Sequence, residues 1–161
     1  MNTNITEKKY KKLSIQVALN GLSFCCFDTL HNTITSFNEV RFDAFHIGTK
    51  TEDLFADAFK NHPELKDSYD EILVIHNNNL STLVPEPLFD ENFLGSYLQY
   101  NTKVFETDFF AFDEIANGQM NTPYIPYVNI NNFFIDQLGA FDYKHANTIL
   151  VSKLLVVSKN N

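Results

Sequence analysis

Leu13-Ser-Ile-Gln-Val-Ala-Leu-Asn20-Gly21-Leu-Ser-Phe-Cys-Cys-Phe-Asp28 is the most informative stretch near the start of the chain. Two apolar runs flank an Asn-Gly dipeptide, whose residues tolerate the positive φ that both central positions of a type I′ turn demand. A β-hairpin with Asn20-Gly21 at its turn is therefore expected. A third run, from Thr33 to Phe42, follows the polar link Thr29-Leu-His-Asn32 and extends the hairpin to a three-stranded meander. Along this third strand the apolar parity changes near Ser36-Phe37, as a bulge would require.

Further along, the pattern alternates. Thr51 reads as the N-cap of a helix whose first turn carries Glu52 and Asp53, and Leu54, Phe55, Ala58 and Phe59 make one apolar face before Asn61-His-Pro63 stops it. Glu71-Ile-Leu-Val-Ile-His76 reads as a strand covered on both faces, hence central and parallel to a neighbour. Leu80 to Val84 is a brief extended segment. Pro85 and Pro87 precede a second helix with Phe89, Phe93, Leu94, Tyr97 and Leu98 on its inner side. Val104 to Phe112 has strand composition, and residues 113–128 read as a loop. Asn129 caps a third helix with Ile130, Phe133, Phe134 and Leu138 on one face, ended by Gly139. The apolar, β-branched run Thr148 to Val157 reads as a final strand. This order, βββ-α-β-(β)-α-β-α-β, describes an α/β protein with a ribonuclease-H-like mixed sheet and helices on both faces. A ferredoxin-like split βαβ fits three leading strands poorly.

The composition narrows the function classes. The chain has 161 residues, enough for one substantial core, with 44% hydrophobic and 20% charged residues. Sixteen Phe and seven Tyr, with no Trp, point to a core of packed rings. A formal charge of −8 argues against nucleic-acid binding, which depends on neutralising phosphates. Lys8, Lys9, Lys11 and Lys12 form a cationic cluster that reads as a solvated flank. No stretch reaches the ~20 apolar residues of a membrane span, and the first residues lack the apolar core of a secretion signal. Cys25 and Cys26 are adjacent in a strand, so their side chains point to opposite faces. They read as free thiols of a cytoplasmic protein.

Three segments resemble a known family: Lys12-Leu-Ser-Ile-Gln-Val17, Ser81-Thr-Leu-Val-Pro-Glu-Pro-Leu-Phe-Asp-Glu91 and His145-Ala-Asn-Thr-Ile149. They are similar to an uncharacterised bacterial domain-of-unknown-function family placed among the actin-like ATPase folds, which pair two ribonuclease-H-like halves across a cleft. The resemblance implies that residues 1–145 form the N-terminal half, and that residues 146–161 are a terminal strand, the first of an absent second half or one that pairs with another chain. Active actin-like ATPases carry Asp-x-Gly-Thr/Ser at the end of their first strand. Gln16-Val-Ala-Leu19 stands there in this chain, with neither carboxylate nor glycine.

Other chemistry finds little support in the residues. A ribonuclease-H-like nuclease needs clustered carboxylates for two metal ions, but Gln16 and His76-Asn77 occupy the relevant strand ends. Asp28 and Glu39 read as surface acids. His31, His46, His62, His76 and His145 are dispersed without metal-ligand spacing. His76, at the end of a buried strand, reads as a histidine satisfied by a loop carbonyl, and His145 as structural in the turn before the last strand. Ser14, Ser23 and Ser81 lack a His/Asp context, and Asp108, Asp113 and Glu114 read as a solvated loop rather than a cation site. The expectation is a non-enzymatic interaction or scaffold module on a degenerate actin-like fold, without cofactor. It would bind a protein partner or a second copy through Leu150, Leu154 and Val156 of the terminal strand and through the Tyr124-Ile-Pro-Tyr127 loop. The alternative is an ATP-binding actin-like ATPase half whose cleft forms on pairing, with Asn20, Gly21 and Ser23 at the phosphate turn and Mg·ATP as cofactor.

Overall fold

The computed structural model describes residues 7–43, 48–115 and 118–160; His46 lies outside the described residues. The chain divides into two compact units, residues 1–74 with 133–142 and residues 75–132 with 143–161.

The first unit begins with the meander β1 (Lys11–Ala18), β2 (Gly21–Asp28) and β3 (Thr33–Arg41). Strict alternation buries Leu13, Ile15 and Val17 of β1 and, opposite them, Cys26, Phe24 and Leu22 of β2. The hairpin exists, but its turn is displaced. Ala18 pairs with Gly21, so Leu19 and Asn20 are the two loop residues, and neither adopts positive φ. Gly21 is needed for another reason. It pairs with Arg41 of β3, its φ is +151°, and a Cβ there would collide with the Val40 carbonyl oxygen. The bulge falls one residue before the expected site. Register passes from Cys26↔Ser36 to Phe27↔Ile34, leaving Thr35 unpaired, and the Thr35 hydroxyl donates to the Cys26 carbonyl at 3.2 Å. Asp28 closes the β2–β3 turn by accepting from the Leu30 and His31 amides, and the His31 ring beside it holds its carboxyl below the usual carboxylate range.

Helix α1 (Thr51–Asn61) carries Phe55, Ala58 and Phe59 inward, as its periodicity predicts. Its N-cap is Lys50 rather than Thr51, with no side-chain capping bond, and a 3-10 turn at Pro63–Lys66 follows it. Helix α3 (Val128–Leu138) ends before Gly139, whose φ is +77°. Phe134 of α3 meets Phe55 and Phe59 of α1 with ring centroids 5.7 and 5.4 Å apart, and Phe42 stands edge-on to Phe55 at 5.0 Å. Strand β4 (Glu71–His76) is internal to a five-stranded mixed sheet of order β3-β2-β1-β4-β8, where β8 is Asp142–His145.

The second unit departs from expectation in three places. Residues 104–110 of the expected strand are not a strand; only Ala111 and Phe112 of it fall in β6 (Ala111–Ile115), which runs on into the region read as a loop and pairs antiparallel there with β7 (Met120–Tyr124), with β5 (Val84–Pro85) on the far side of β7. Met-Asn-Thr-Pro-Tyr offers no apolar alternation, and its proline lowers strand propensity, which hid β7. The second helix is reduced to 3-10 turns at Glu86–Leu88 and Glu91–Phe93 followed by α2 (Leu94–Leu98). Pro87 and Gly95 both weaken continuous helix there. The expected terminal strand is helix α4 (Ala146–Lys159). A continuous apolar run does not announce its period, and here the His145 ring, accepting from the Asn147 amide at 3.1 Å, caps a helix.

Gly21→Ala is expected to destabilise the protein by more than ~1 kcal/mol, because the added Cβ forces β2 from β3. Urea unfolding followed by circular dichroism measures it. An unchanged midpoint would show that β3 yields without cost.

Candidate functional site

The second unit gathers its buried polar groups around Tyr124. Asp113 is buried on β6, on the same face as Ile115, and its carboxyl group accepts from the Tyr124 hydroxyl at 3.3 Å, the His145 amide at 2.8 Å and the Thr148 hydroxyl at 2.7 Å. Burial, with Asp113 beside it, raises the Tyr124 hydroxyl well above the usual tyrosine range, so it stays a donor.

The two histidines take up the remaining positions. The Tyr127 amide donates to His76 Nδ1 at 3.2 Å, which leaves Nε2–H to donate to Asn131 Oδ1 at 3.0 Å. His145 follows the same tautomer: Nδ1 accepts from the Asn147 amide, and Nε2–H donates to Asn78, whose carbonyl and side-chain oxygens both lie at 3.1 Å. Burial pushes the His76 ring down to about 4, and it lowers His145 as well. Both rings are neutral at pH 7. Their nitrogens are spent on protein partners, so this cluster acts as a structural joint. His145 caps helix α4, where a turn before a strand was expected. The partners of His76 are an asparagine side chain and an amide, not a loop carbonyl.

Sequence reasoning passed over Asn78 and Asn131, which complete the joint. The available signal was position: Asn131 follows Ile130 on the inward face of α3, where a polar residue needs a partner. Asp113 is not part of a solvated loop, and Asp108 instead accepts from the Phe105 amide at 2.8 Å. Among the described residues, no group of three or more His, Cys, Asp and Glu is placed to hold a metal ion, and no helix is long and apolar enough to cross a membrane.

The structure distributes the other candidate residues widely. Tyr124 is buried and therefore a core residue, and the half-buried Tyr127 donates its hydroxyl to the Asn77 carbonyl at 3.1 Å. Asn20 is exposed, with its carbonyl accepting from the Phe42 amide. Gly21 packs against β3, and Ser23 stands between Gln16 and Glu39 across the sheet. Leu150, Leu154 and Val156 are 58%, 59% and 55% exposed on α4.

This fold is that of the actin-like ATPases. A protein of unknown function from Bacteroides thetaiotaomicron with that fold superposes with a TM-score of 0.81 at 17% identity, over 96% of this chain and 59% of that one. The chain thus spans about three fifths of its structural relative. The cytoplasmic domain of EpsL, an inner membrane component of the type II secretion system of Vibrio cholerae, matches at a TM-score of 0.49 and 14% identity, over 83% of this chain and 55% of that one. No curated protein matches the sequence. Residues 1–161 match the model of the family described as protein of unknown function (DUF3822), and the chain belongs to that family.

Two outcomes test the joint. The folded His76 value of about 4 lies below the ~6.5 of an unfolded histidine. Its contribution is complete above pH ~6.5 and is lost as the pH falls toward 4, a loss of roughly 3 kcal/mol. Urea midpoints between pH 7 and 4, with the His76 ring followed by NMR, measure this, and a ring titrating near 6.5 would sink it. Asp113→Ala leaves three donors without an acceptor and should cost about 3 kcal/mol in the same assay; a loss below ~1 kcal/mol would contradict the joint.

Proposed function

We propose that this chain is a non-enzymatic interaction module of the cytoplasm that self-associates through α4. One observation carries the reading. Leu150, Leu154 and Val157 recur at i, i+4 and i+7, the spacing of a single helical stripe, and they are 58%, 59% and 59% exposed. Thr148, on the opposite side of the helix, is buried and anchored to Asp113. The apolar stripe therefore faces away from the unit to which α4 is tied, and contiguous exposed apolar surface of this kind marks contact sites. The inward commitment of His76, His145 and Asp113 to one another's surroundings supports a role without catalysis. Two unpaired thiols, with Cys26 buried and 3.1 Å from the Tyr69 hydroxyl, support a reducing compartment.

Sedimentation velocity over a dilution series tests the proposal. The wild-type chain is expected to grow in mass with concentration, whether or not Mg·ATP is present, and Leu154→Lys to sediment as a monomer with unchanged circular dichroism. A wild-type chain that is monomeric at every concentration, or that assembles only with Mg·ATP, would overturn it.

A further inference from the structure

We infer that α4 of one copy docks into an acidic, aromatic-lined groove on a second copy, so that the two contacting surfaces are different. This inference rests on self-association through α4 and names the surface that receives it. The groove, a cavity of about 420 Å³, lies between α2 and the segment of residues 104–110. Phe110 lines it, packed against Gly95 so closely that a Cβ there would sit 3.1 Å from the ring. Phe93 and Phe105, 54% and 53% exposed, line it too, as do Glu91 and Glu106.

The groove is formed in advance of any partner. The Phe105 amide donates to the Asp108 carboxyl at 2.8 Å, and the Asp108 amide donates to the Phe105 carbonyl at 3.1 Å, a reciprocal pair that fixes the turn. The Asp90 side chain accepts from the Asn92 amide and sets the turn that carries Phe93. Lys103 lies 5.0 Å over the Phe105 ring, and the carboxylates that line the groove are Glu91 and Glu106.

Charge selects the occupant. Helix α4 has no acidic residue, and it carries Lys153 beside the Leu150–Leu154–Val157 stripe and Lys159 at its end. Packing α4 against a second α4 would leave these lysines without an anion on either helix, an arrangement that does not favour association. The groove supplies what α4 lacks: apolar rings for the leucines and carboxylates for the lysines. In this chain of charge −8, a helix that is both apolar and purely basic finds its complement in another copy's acidic groove. Because donor and acceptor surfaces differ, the contact is heterologous. Three side chains in one groove make a small contact beside the ~800 Å² per partner of a standard interface, so the association is reversible.

Complementation by mixing tests this. The first variant, Leu150→Lys with Leu154→Lys, keeps the groove; the second, Glu91→Lys with Glu106→Lys, keeps the stripe. Each alone is expected to self-associate at least ~10-fold more weakly than wild type, with unchanged circular dichroism. An equimolar mixture retains one intact contact and should form a heterodimer in sedimentation velocity. Adding Lys153→Glu and Lys159→Glu to the second variant should restore its own association. If the groove variant associates like wild type while the α4 variant is monomeric, the groove assignment falls and self-association through α4 stands. If both variants are monomeric and neither mixing nor charge exchange restores a complex, the pairing of α4 with the groove falls. A wild-type chain monomeric throughout removes both readings.

Discussion

The buried carboxyl group of Asp113 is the constraint on which the second unit depends. Removing a carboxyl from water is costly unless its acceptors are filled, and here a backbone amide, a hydroxyl from α4 and a phenol from β7 fill them. Three elements are fixed by one side chain: the β6–β7 pair through Tyr124, the end of β8 through the His145 amide, and the first turn of α4 through Thr148. Once Thr148 is held inward, the rotation of α4 is set. The side of the helix bearing Leu150, Leu154 and Val157 must then face outward. A polar contact in the interior thereby decides which apolar residues remain on the surface.

The histidines extend that logic. Each is a neutral ring with one nitrogen accepting from an amide and the other donating to an asparagine. Each therefore bridges segments distant in sequence, His76 reaching Asn131 and His145 reaching Asn78. The Tyr124 ring lies near both, 6.4 Å from His76 and 5.2 Å from His145. Such a network is worth its desolvation only when every member is paired. Among the described residues the Thr122 hydroxyl is a buried side-chain atom without a partner, on the β7 residue opposite Asp113. The network concentrates titratable chemistry where solvent does not reach.

The first unit uses different means. Its helices α1 and α3 meet each other through a cluster of phenylalanine rings, and a polar contact, Cys26 with Tyr69, joins β2 to the segment before β4. Burial raises both of those groups above their usual ranges. The thiol and the phenol thus keep their protons, and the Tyr69 hydroxyl donates to the Glu64 carbonyl at 2.6 Å. Gly21 matters here through space, because β3 crosses where its side chain would be.

What the residues could reveal was whatever repeats locally. Leu13, Ile15 and Val17 alternate, Phe55 and Phe59 fall one helical turn apart, and Ile130 and Phe134 do the same. Hydrophobic period therefore disclosed β1, α1 and α3, and a dense apolar run disclosed β4. The resemblance added the fold, which the superposition supports. The sequence was silent where period and outcome separate. Thr148 to Val157 is apolar enough for either strand or helix, and only the His145 cap and the Asp113–Thr148 bond select the helix. Met120 to Tyr124 has no alternation, and it becomes a strand because β5 and β6 lie on its two sides. Tyr124, with the composition of a surface loop, is buried because Asp113, eleven residues earlier, and the histidines need a ring between them. Local pattern reports the preferences of a segment one turn or one pleat at a time. Contacts between residues tens of positions apart carry energies as large as those preferences, and they appear only when the chain has folded.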